Sequence, residues 1–273
     1  DPAHPQLVDF YERVSYVAYR TDGYVVRPNG EVYALADPSY KVAEMGTVQP
    51  YVLGHREGHV VIMDQGLLKV LAWEGRRGLV VVGQEPVAAN LGVMLDHYVY
   101  LPDRHVRGLT VVDVSNPGAP RAVASEPFPF ELGWPVVAGE KLLAIDNDLL
   151  HLLDLSERTA PVVAGSYTAS GTIRRVAAVG GMAYVLLQNN MLEIVDIGTP
   201  AMPVRLGTYT PNDGTTYSVA ARDGYVYLAR GSRTQVVDVS EPARPIEVTT
   251  IEGPSYSLLL EGQTLYTAYG GLA

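Results

Sequence analysis

The sequence predicts an all-β fold, and its clearest sign is an internal repeat. Four segments align almost without gaps, and each joins an apolar block ending in aspartate to a turn that closes on proline. They are residues 109–120, 150–161, 192–203 and 234–245. The repeat aspartates lie 41 or 42 residues apart. A fixed period of this size indicates one supersecondary unit copied along the chain.

The stretches between these blocks have the pattern of short strands. Apolar blocks of four to eight residues are bounded by Gly, Asp, Asn and Pro, which is typical of strands joined by turns. In the unit after residue 203, strands are expected at 217–221 and 225–229, with a turn between them at 222–224. No window has sustained helical periodicity, and 27 glycines with 19 prolines fit many turns.

A period near 40 residues matches one four-stranded blade of a β-propeller. We therefore predict a single β-propeller of about seven four-stranded blades over residues 1–273. The repeat units are expected to start near residues 1, 37, 74, 115, 156, 198 and 240, and the last unit is incomplete. Stacking in a closed ring buries both faces of each sheet. An N-terminal strand at 6–11 is expected to complete the last blade, and the natural chain is expected to extend beyond at least one end.

Composition excludes several classes of function. The net charge of −10 argues against nucleic acid and anionic lipid as partners, because both are negatively charged. The absence of cysteine excludes disulfides, thiolate metal sites and thiol nucleophiles. No apolar run approaches the roughly 20 residues of a transmembrane helix, so no transmembrane segment is expected in this chain.

The apolar block with aspartate, followed by serine and proline, resembles the LVIVD-repeat family. The nearest copies are residues 192–197 and 236–242. The resemblance covers almost the whole chain and is strongest from about residue 109, whereas Ala34 and Ala72 replace the aspartate in the first two units. It implies a propeller fold and an extracellular, cell-surface or periplasmic location. It brings no general enzymatic activity.

The repeat aspartates are interpreted as structural turn residues. Aspartate followed two positions later by serine, and then by Asn-Pro, can accept hydrogen bonds from the backbone N–H groups of its own turn. The alternative, a set of carboxylate ligands around a channel, is less favoured. The predicted turn residues are Asp113, Asp154, Asp196 and Asp238.

A candidate binding surface comes from the first positions of the predicted innermost strands. Aligning the units on their turns places seven residues there, most of them aromatic: Tyr16, Tyr51, Asn90, Trp134, Arg174, Tyr217 and Tyr256. They are expected to ring one mouth of the central channel. Tyr, Trp and Arg are typical of binding hot spots. The alternative is that these aromatic residues pack the seams between blades, with their polar ends in water.

Catalytic and metal-binding motifs are weak. His55 and His59 are four residues apart, but Gly58 between them indicates a turn from which the two side chains diverge. Residues 146–148 resemble a fragment of a calcium loop, and a tight hairpin turn explains them better. Asn90 with Glu131 or Asp146 could imitate a lactonase site. We predict no metal and no cofactor.

The sequence thus favours a non-catalytic, exported or cell-surface β-propeller that acts as a protein-binding or scaffold module. Its expected partner is a protein in a surface or envelope assembly. The alternative is a hydrolase or lyase, acting on a lactone or a glycan, with its site at one mouth of the channel. A purely structural subunit without a ligand is a third class.

Overall fold

The computed structural model describes residues 19–21, 24–26, 31–34, 37–44, 51–74, 79–89, 91–103, 107–261 and 264–268, and these residues form strands and turns without a helix. The strands are β1 (Tyr19–Thr21), β2 (Tyr24–Val26), β3 (Glu31–Ala34), β4 (Asp37–Glu44), β5 (Tyr51–Arg56), β6 (His59–Asp64), β7 (Leu67–Trp73), β8 (Leu79–Pro86), β9 (Val93–Leu95), β10 (Tyr98–Asp103), β11 (Gly108–Asp113), β12 (Arg121–Pro127), β13 (Gly133–Ala138), β14 (Lys141–Asp146), β15 (Leu149–Asp154), β16 (Val162–Thr168), β17 (Ile173–Val179), β18 (Met182–Leu187), β19 (Leu192–Asp196), β20 (Val204–Tyr209), β21 (Ser218–Arg222), β22 (Tyr225–Ala229), β23 (Gly231–Asp238), β24 (Ile246–Ser255), β25 (Ser257–Glu261) and β26 (Thr264–Ala268).

The strands pair in chain order into small antiparallel sheets, as the repeat predicts. Within the described ranges, β1–β4, β5–β8, β9–β12, β13–β16, β17–β20 and β21–β24 each form a four-stranded sheet, and β25 pairs with β26. The all-β prediction and the four-stranded repeat unit are confirmed. The count of seven complete blades is not confirmed, because the last sheet shows two strands. The closing strand expected at 6–11 lies outside the described residues.

The chain divides into two compact units. The first unit comprises the described residues of 16–137 and 155–161, and the second comprises those of 138–154 and 162–273. In the first unit, Val61 and Leu68 of one sheet share a buried cluster with Val99 and Val112 of the next. In the second unit, Leu186 and Ile194 pack in the same way against strands β22 and β23. The middle strands are apolar on both faces because both faces are covered by neighbouring sheets.

The outermost strand of each repeat carries a β-bulge at one equivalent place. In the β7–β8 pair, Val70 pairs with Gly83 but Leu71 pairs with Val81, so Val82 is the extra residue. The same shift occurs in five further sheets, where the extra residues are Val42, Val123, Ala164, Leu206 and Val248. A bulge bends its strand and increases the local twist, so all six outer strands turn at the same point.

A glycine beside the bulge allows the next sheet to approach. A Cβ at Gly83 would overlap the carbonyl oxygen of Pro117, and a Cβ at Gly165 or Gly207 would overlap that of Pro200 or Pro242. Each of these prolines belongs to the turn between the third and fourth strands of the following sheet. The glycine is required here because the backbone of the neighbouring turn occupies the space of a side chain.

Candidate functional site

The repeat aspartates accept hydrogen bonds within their own turns. The Ser115 N–H donates to Asp113 Oδ1 at 2.8 Å. The Gly198 N–H donates to Asp196 at 2.7 Å, and the Ser240 N–H donates to Asp238 at 2.8 Å. Burial alone would raise the pKa of Asp113, but the hydrogen bonds from Ser115 outweigh it and hold this pKa below its usual value. These contacts are those of a turn acceptor, and their effect on stability stays a prediction.

A buried carboxylate joins two neighbouring sheets of the second unit. Glu193 on β19 is fully buried, and its carboxylate accepts hydrogen bonds from the Tyr167 hydroxyl at 2.8 Å and from the Ser170 hydroxyl at 2.6 Å. It also accepts from the Ser170 N–H at 3.2 Å and from Arg205 Nη1 at 3.0 Å. Burial raises the pKa of Glu193, but these donors outweigh it and lower that pKa. The Glu193 carboxylate itself is closed to solvent, and its hydrogen bonds connect the two sheets.

Five of the seven predicted mouth residues lie at or beside the start of the first strand of a sheet. Arg174 is the second residue of β17, and Tyr217 and Tyr256 directly precede β21 and β25. Trp134 lies in β13 with a left-handed backbone, φ 44°, and belongs to the first unit. Tyr51 is the first residue of β5, and its side chain lies outside the described part of the chain. Tyr16 and Asn90 also lie outside the described residues.

Two of the predicted residues form an aromatic pair. The rings of Tyr217 and Tyr256 have centroids 4.7 Å apart at an interplanar angle of 46°. Gly231, with φ 86°, lies beside both rings, and a Cβ there would stand 3.4 Å from Tyr217 Cε2. The Tyr217 N–H donates to the Ala229 carbonyl at 2.9 Å, which fixes the backbone that carries the ring. Tyr217 is 36% exposed, so the pair is ordered yet accessible.

Beside this pair, one carboxylate bridges two arginines. Arg233 Nη2 donates to both oxygens of Asp213, at 2.7 and 2.9 Å. Arg230 Nη2 donates to Asp213 at 3.1 Å, and Arg230 Nη1 donates to the Thr216 hydroxyl at 3.0 Å. The hydrogen bonds from Arg233 are the main reason that the pKa of Asp213 lies below its usual range. Arg230 is the interior member of the network, since its side chain is 2% exposed.

The β18–β19 turn connects Arg174 to the same region. Arg174 Nη2 donates to the Gln188 carbonyl at 3.1 Å, and the Asn190 amide oxygen accepts from the Thr216 N–H at 2.9 Å. We name the resulting surface the Tyr217 patch. It comprises Arg174, Asp213, Tyr217, Arg230, Arg233 and Tyr256.

Three members of the Tyr217 patch were missed by sequence reasoning, namely Asp213, Arg230 and Arg233. The available signal was the connection at 210–217, which has eight residues where the β16–β17 connection has four. A second signal was the pair of arginines in the Arg-Gly-Ser-Arg turn at 230–233, although the equivalent turn at 104–107 also carries two arginines.

A pocket in the first unit is a further candidate site, separate from the Tyr217 patch. Arg56, His59, His97 and Ser115 line it above an apolar floor that includes Met94. His59 Nδ1 lies 3.0 Å from the Glu57 carbonyl. His55 pairs with Val60 and His59 with Arg56 across the β5–β6 hairpin. Among the described residues, no three His, Asp or Glu side chains cluster as metal ligands would.

Residues 146–148 form part of the β14–β15 hairpin. Asp146 pairs with Leu149, which leaves Asn147 and Asp148 as the turn, and Asn147 has φ 56°. The Asn147 amide oxygen accepts from the Thr172 hydroxyl at 3.3 Å. The hairpin-turn interpretation is therefore the observed structure.

Among the residues that the structure describes, no helix has the length and apolarity needed to cross a bilayer.

Solved structures similar to this chain are β-propellers. BamB from Moraxella catarrhalis is 12% identical, with 90% of this chain and 78% of that chain covered and a TM-score of 0.61. A candidate 6-phosphogluconolactonase from Bacteroides fragilis is 12% identical, with coverages of 90% and 83% and a TM-score of 0.66. A chain of the mitotic checkpoint complex is 13% identical, with coverages of 90% and 80% and a TM-score of 0.66. At these identities the likeness shows the fold alone.

The sequence model of the LVIVD repeat family matches residues 93–125, 170–211 and 213–252 of this chain. No curated protein matches the chain. The matched stretches contain the aspartate turns at Asp113, Asp196 and Asp238, so the resemblance seen in the sequence is confirmed. The fold of the chain is that of a β-propeller, and its three matched stretches are LVIVD repeats.

Proposed function

We propose that this chain is a non-catalytic, protein-binding β-propeller of the cell surface or envelope, and that the Tyr217 patch contacts its protein partner. The observation that carries the proposal is the exposed Tyr217–Tyr256 pair held beside an ordered arginine network. Tyrosine and arginine dominate binding hot spots, because they combine a large contact area with directed hydrogen bonds. The extracellular, cell-surface or periplasmic location rests on the resemblance to the LVIVD-repeat family.

The patch is ordered before any partner arrives. Backbone hydrogen bonds hold Tyr217, and side-chain hydrogen bonds hold Arg230 and Arg233. Side chains that are already ordered lose little conformational entropy on binding, so more of the contact energy is available for affinity. A propeller chain within the mitotic checkpoint complex is part of a protein assembly by its name, which is in keeping with such a role for this fold.

The proposal is tested by recovering a partner with the tagged chain from its native source. We expect a stoichiometric protein partner with the wild type and its loss with Tyr217→Ala combined with Tyr256→Ala. The matched control is Tyr225→Ala, which removes a tyrosine from the other end of the same sheet and is expected to keep the partner. The double variant loses the area that both rings bury as well as the aromatic contact, so its melting curve is recorded to show that it remains folded.

Retention of the partner by the double variant would contradict the proposal. So would turnover of a lactone or glycan that depends on Tyr217 and needs no protein partner, because the alternative of a hydrolase or lyase makes that prediction.

A further inference from the structure

We infer that the partner segment bound at the Tyr217 patch carries a carboxylate, which binds Arg233 in the place that Asp213 occupies in the free protein. The inference rests on the proposed function of the patch. It adds the chemistry of the partner, namely an acidic residue flanked by an apolar or aromatic one.

The first argument is that Asp213 can be displaced. It is 66% exposed and lies on the eight-residue connection between β20 and β21, outside any strand. An ion pair that is open to water gains little over its separated partners, because water solvates both charges. A second carboxylate can therefore compete for the same guanidinium without disturbing the sheet below.

The second argument is the donor capacity that Arg233 holds in reserve. A guanidinium has five N–H donors, and a carboxylate can bind two of its nitrogens at once. Within the described contacts, Arg233 reaches Asp213 through Nη2 alone. Its side chain is 31% exposed, so an incoming carboxylate can reach it from solvent and engage two nitrogens. Glu252 lies opposite Arg233 across the β23–β24 pair, and the two form no ion pair in the described part of the chain.

The third argument is the fixed positive charge behind Arg233. The Arg230 guanidinium is almost fully buried, and its Nε has no hydrogen-bond partner among the described residues. A buried cation is costly without a counter-charge, so this position favours a carboxylate close by at all times. Asp213 supplies it in the free protein, and the partner's acid would supply it in the complex.

The Tyr217–Tyr256 pair selects the neighbouring residue of the partner. The exposed ring of Tyr217 offers an apolar and aromatic surface next to the guanidinium groups. An apolar or aromatic side chain of the partner would pack on the Tyr217 ring, and the acidic residue next to it in the partner's sequence would bind Arg233. The two residues together use both parts of the Tyr217 patch. Because the whole chain has a net charge of −10, an acidic segment gains no long-range attraction and must be recognised by these contacts at short range.

The experiment is selection of random heptapeptides displayed on phage against the purified full chain. Four proteins are compared: wild type, Asp213→Asn, Arg233→Gln and the control Asp223→Asn. The control removes a similarly exposed aspartate from the other end of the same sheet, where Arg222 Nε lies 3.5 Å from Asp223. Peptides from the wild-type selection should be enriched in Asp or Glu beside an apolar or aromatic residue.

Synthetic copies of the enriched peptides are then measured by fluorescence anisotropy. We expect Asp213→Asn to bind roughly threefold to tenfold more tightly than wild type, because the competing carboxylate is gone. Arg233→Gln should bind at least about tenfold more weakly, because a charged hydrogen-bond donor is lost. Asp223→Asn should match the wild type. Melting curves identify any variant that is misfolded, and Arg233→Lys then replaces Arg233→Gln as a variant that keeps the charge but not the guanidinium fork.

The possible failures are distinguishable. If enriched peptides depend on Tyr217 but show no preference for acids, or if Asp213→Asn weakens binding, the carboxylate inference is wrong and the proposed function stands. If no enriched peptide depends on Tyr217, the proposed function fails, and this inference fails with it.

Discussion

Removal of the Glu193 carboxylate is the sharpest test of how neighbouring sheets are held together. In the Glu193→Ala variant, the buried Tyr167 hydroxyl loses its acceptor, and so do both donors of the exposed residue Ser170. Arg205 also loses its ion pair, although its side chain is half exposed and can turn to water.

The expected loss is about 2–4 kcal/mol in the free energy of unfolding. It combines the buried Tyr167 hydroxyl, which costs about 1–3 kcal/mol when it is left unpaired, with the lost hydrogen bonds of Ser170. Arg205 adds no buried charge, because its side chain is 48% exposed. The matched variant is Gln235→Ala, at the equivalent position of the next sheet, where one hydrogen bond of 3.0 Å to the Tyr209 hydroxyl is lost. An uncharged pair of this kind is expected to cost only about 1–2 kcal/mol.

Urea unfolding followed by circular dichroism measures both variants. The pH dependence supplies an independent check, because the pKa of Glu193 is lower in the folded state than in the unfolded chain. Its stabilising effect is therefore present above the unfolded pKa of about 4.3 and is lost as the pH falls through the folded pKa. Wild type should lose more stability than Glu193→Gln on acidification below about pH 5. If Glu193→Ala costs no more than Gln235→Ala, the network does not join the sheets as described.

Three further predictions concern stability. Gly207→Ala should lose about 1–3 kcal/mol of the free energy of unfolding, because the new Cβ would overlap the Pro242 carbonyl. In its control, Gly171→Ala, the new Cβ would meet only Leu187 at 3.8 Å, so melting curves should show a nearly unchanged stability. Asp113→Ala should lose about 1 kcal/mol and Asp113→Asn much less, because asparagine keeps an acceptor for the Ser115 N–H; equal melting temperatures would refute the turn role. Burial raises the pKa of Tyr100 to about 12, so the folded state binds more protons than the unfolded chain above about pH 10, and stability should fall between about pH 10 and 12. Tyr100→Phe should fall less steeply over that alkaline range, and a parallel fall would show that Tyr100 does not contribute.

The strands and their grouping could be predicted because each depends on local pattern. The apolar blocks and the aspartate turns are visible within one repeat of about 42 residues, and the period is visible as the separation between successive copies. The alignment of the units puts Tyr217 and Tyr256 at equivalent positions of successive units, and the structure places their rings in contact. The number of complete blades depends on how the ends of the chain meet, and no local pattern reports that.

The contacts between sheets were harder to predict, because each joins residues from different repeats. Glu193 stands in an otherwise apolar block, and only comparison of equivalent positions shows a polar residue there in successive repeats. These positions are Lys69, Thr110, His151, Glu193 and Gln235. The pairing of Asp213 with Arg230 and Arg233 depends on the path of the 210–217 connection, which has eight residues where the β16–β17 connection has four.

The close approach of a glycine in one sheet to a proline carbonyl of the next also affects how such a chain can evolve. Because the junctions at Gly83, Gly165 and Gly207 share one geometry, each of these three boundaries accepts the same kind of neighbour. Duplicating or deleting one repeat in the gene would recreate an existing junction and would require no new complementary surface. The number of repeats can therefore change without new contacts between neighbouring sheets. The sequences of the connections can then differ from repeat to repeat, as the eight-residue segment at 210–217 illustrates.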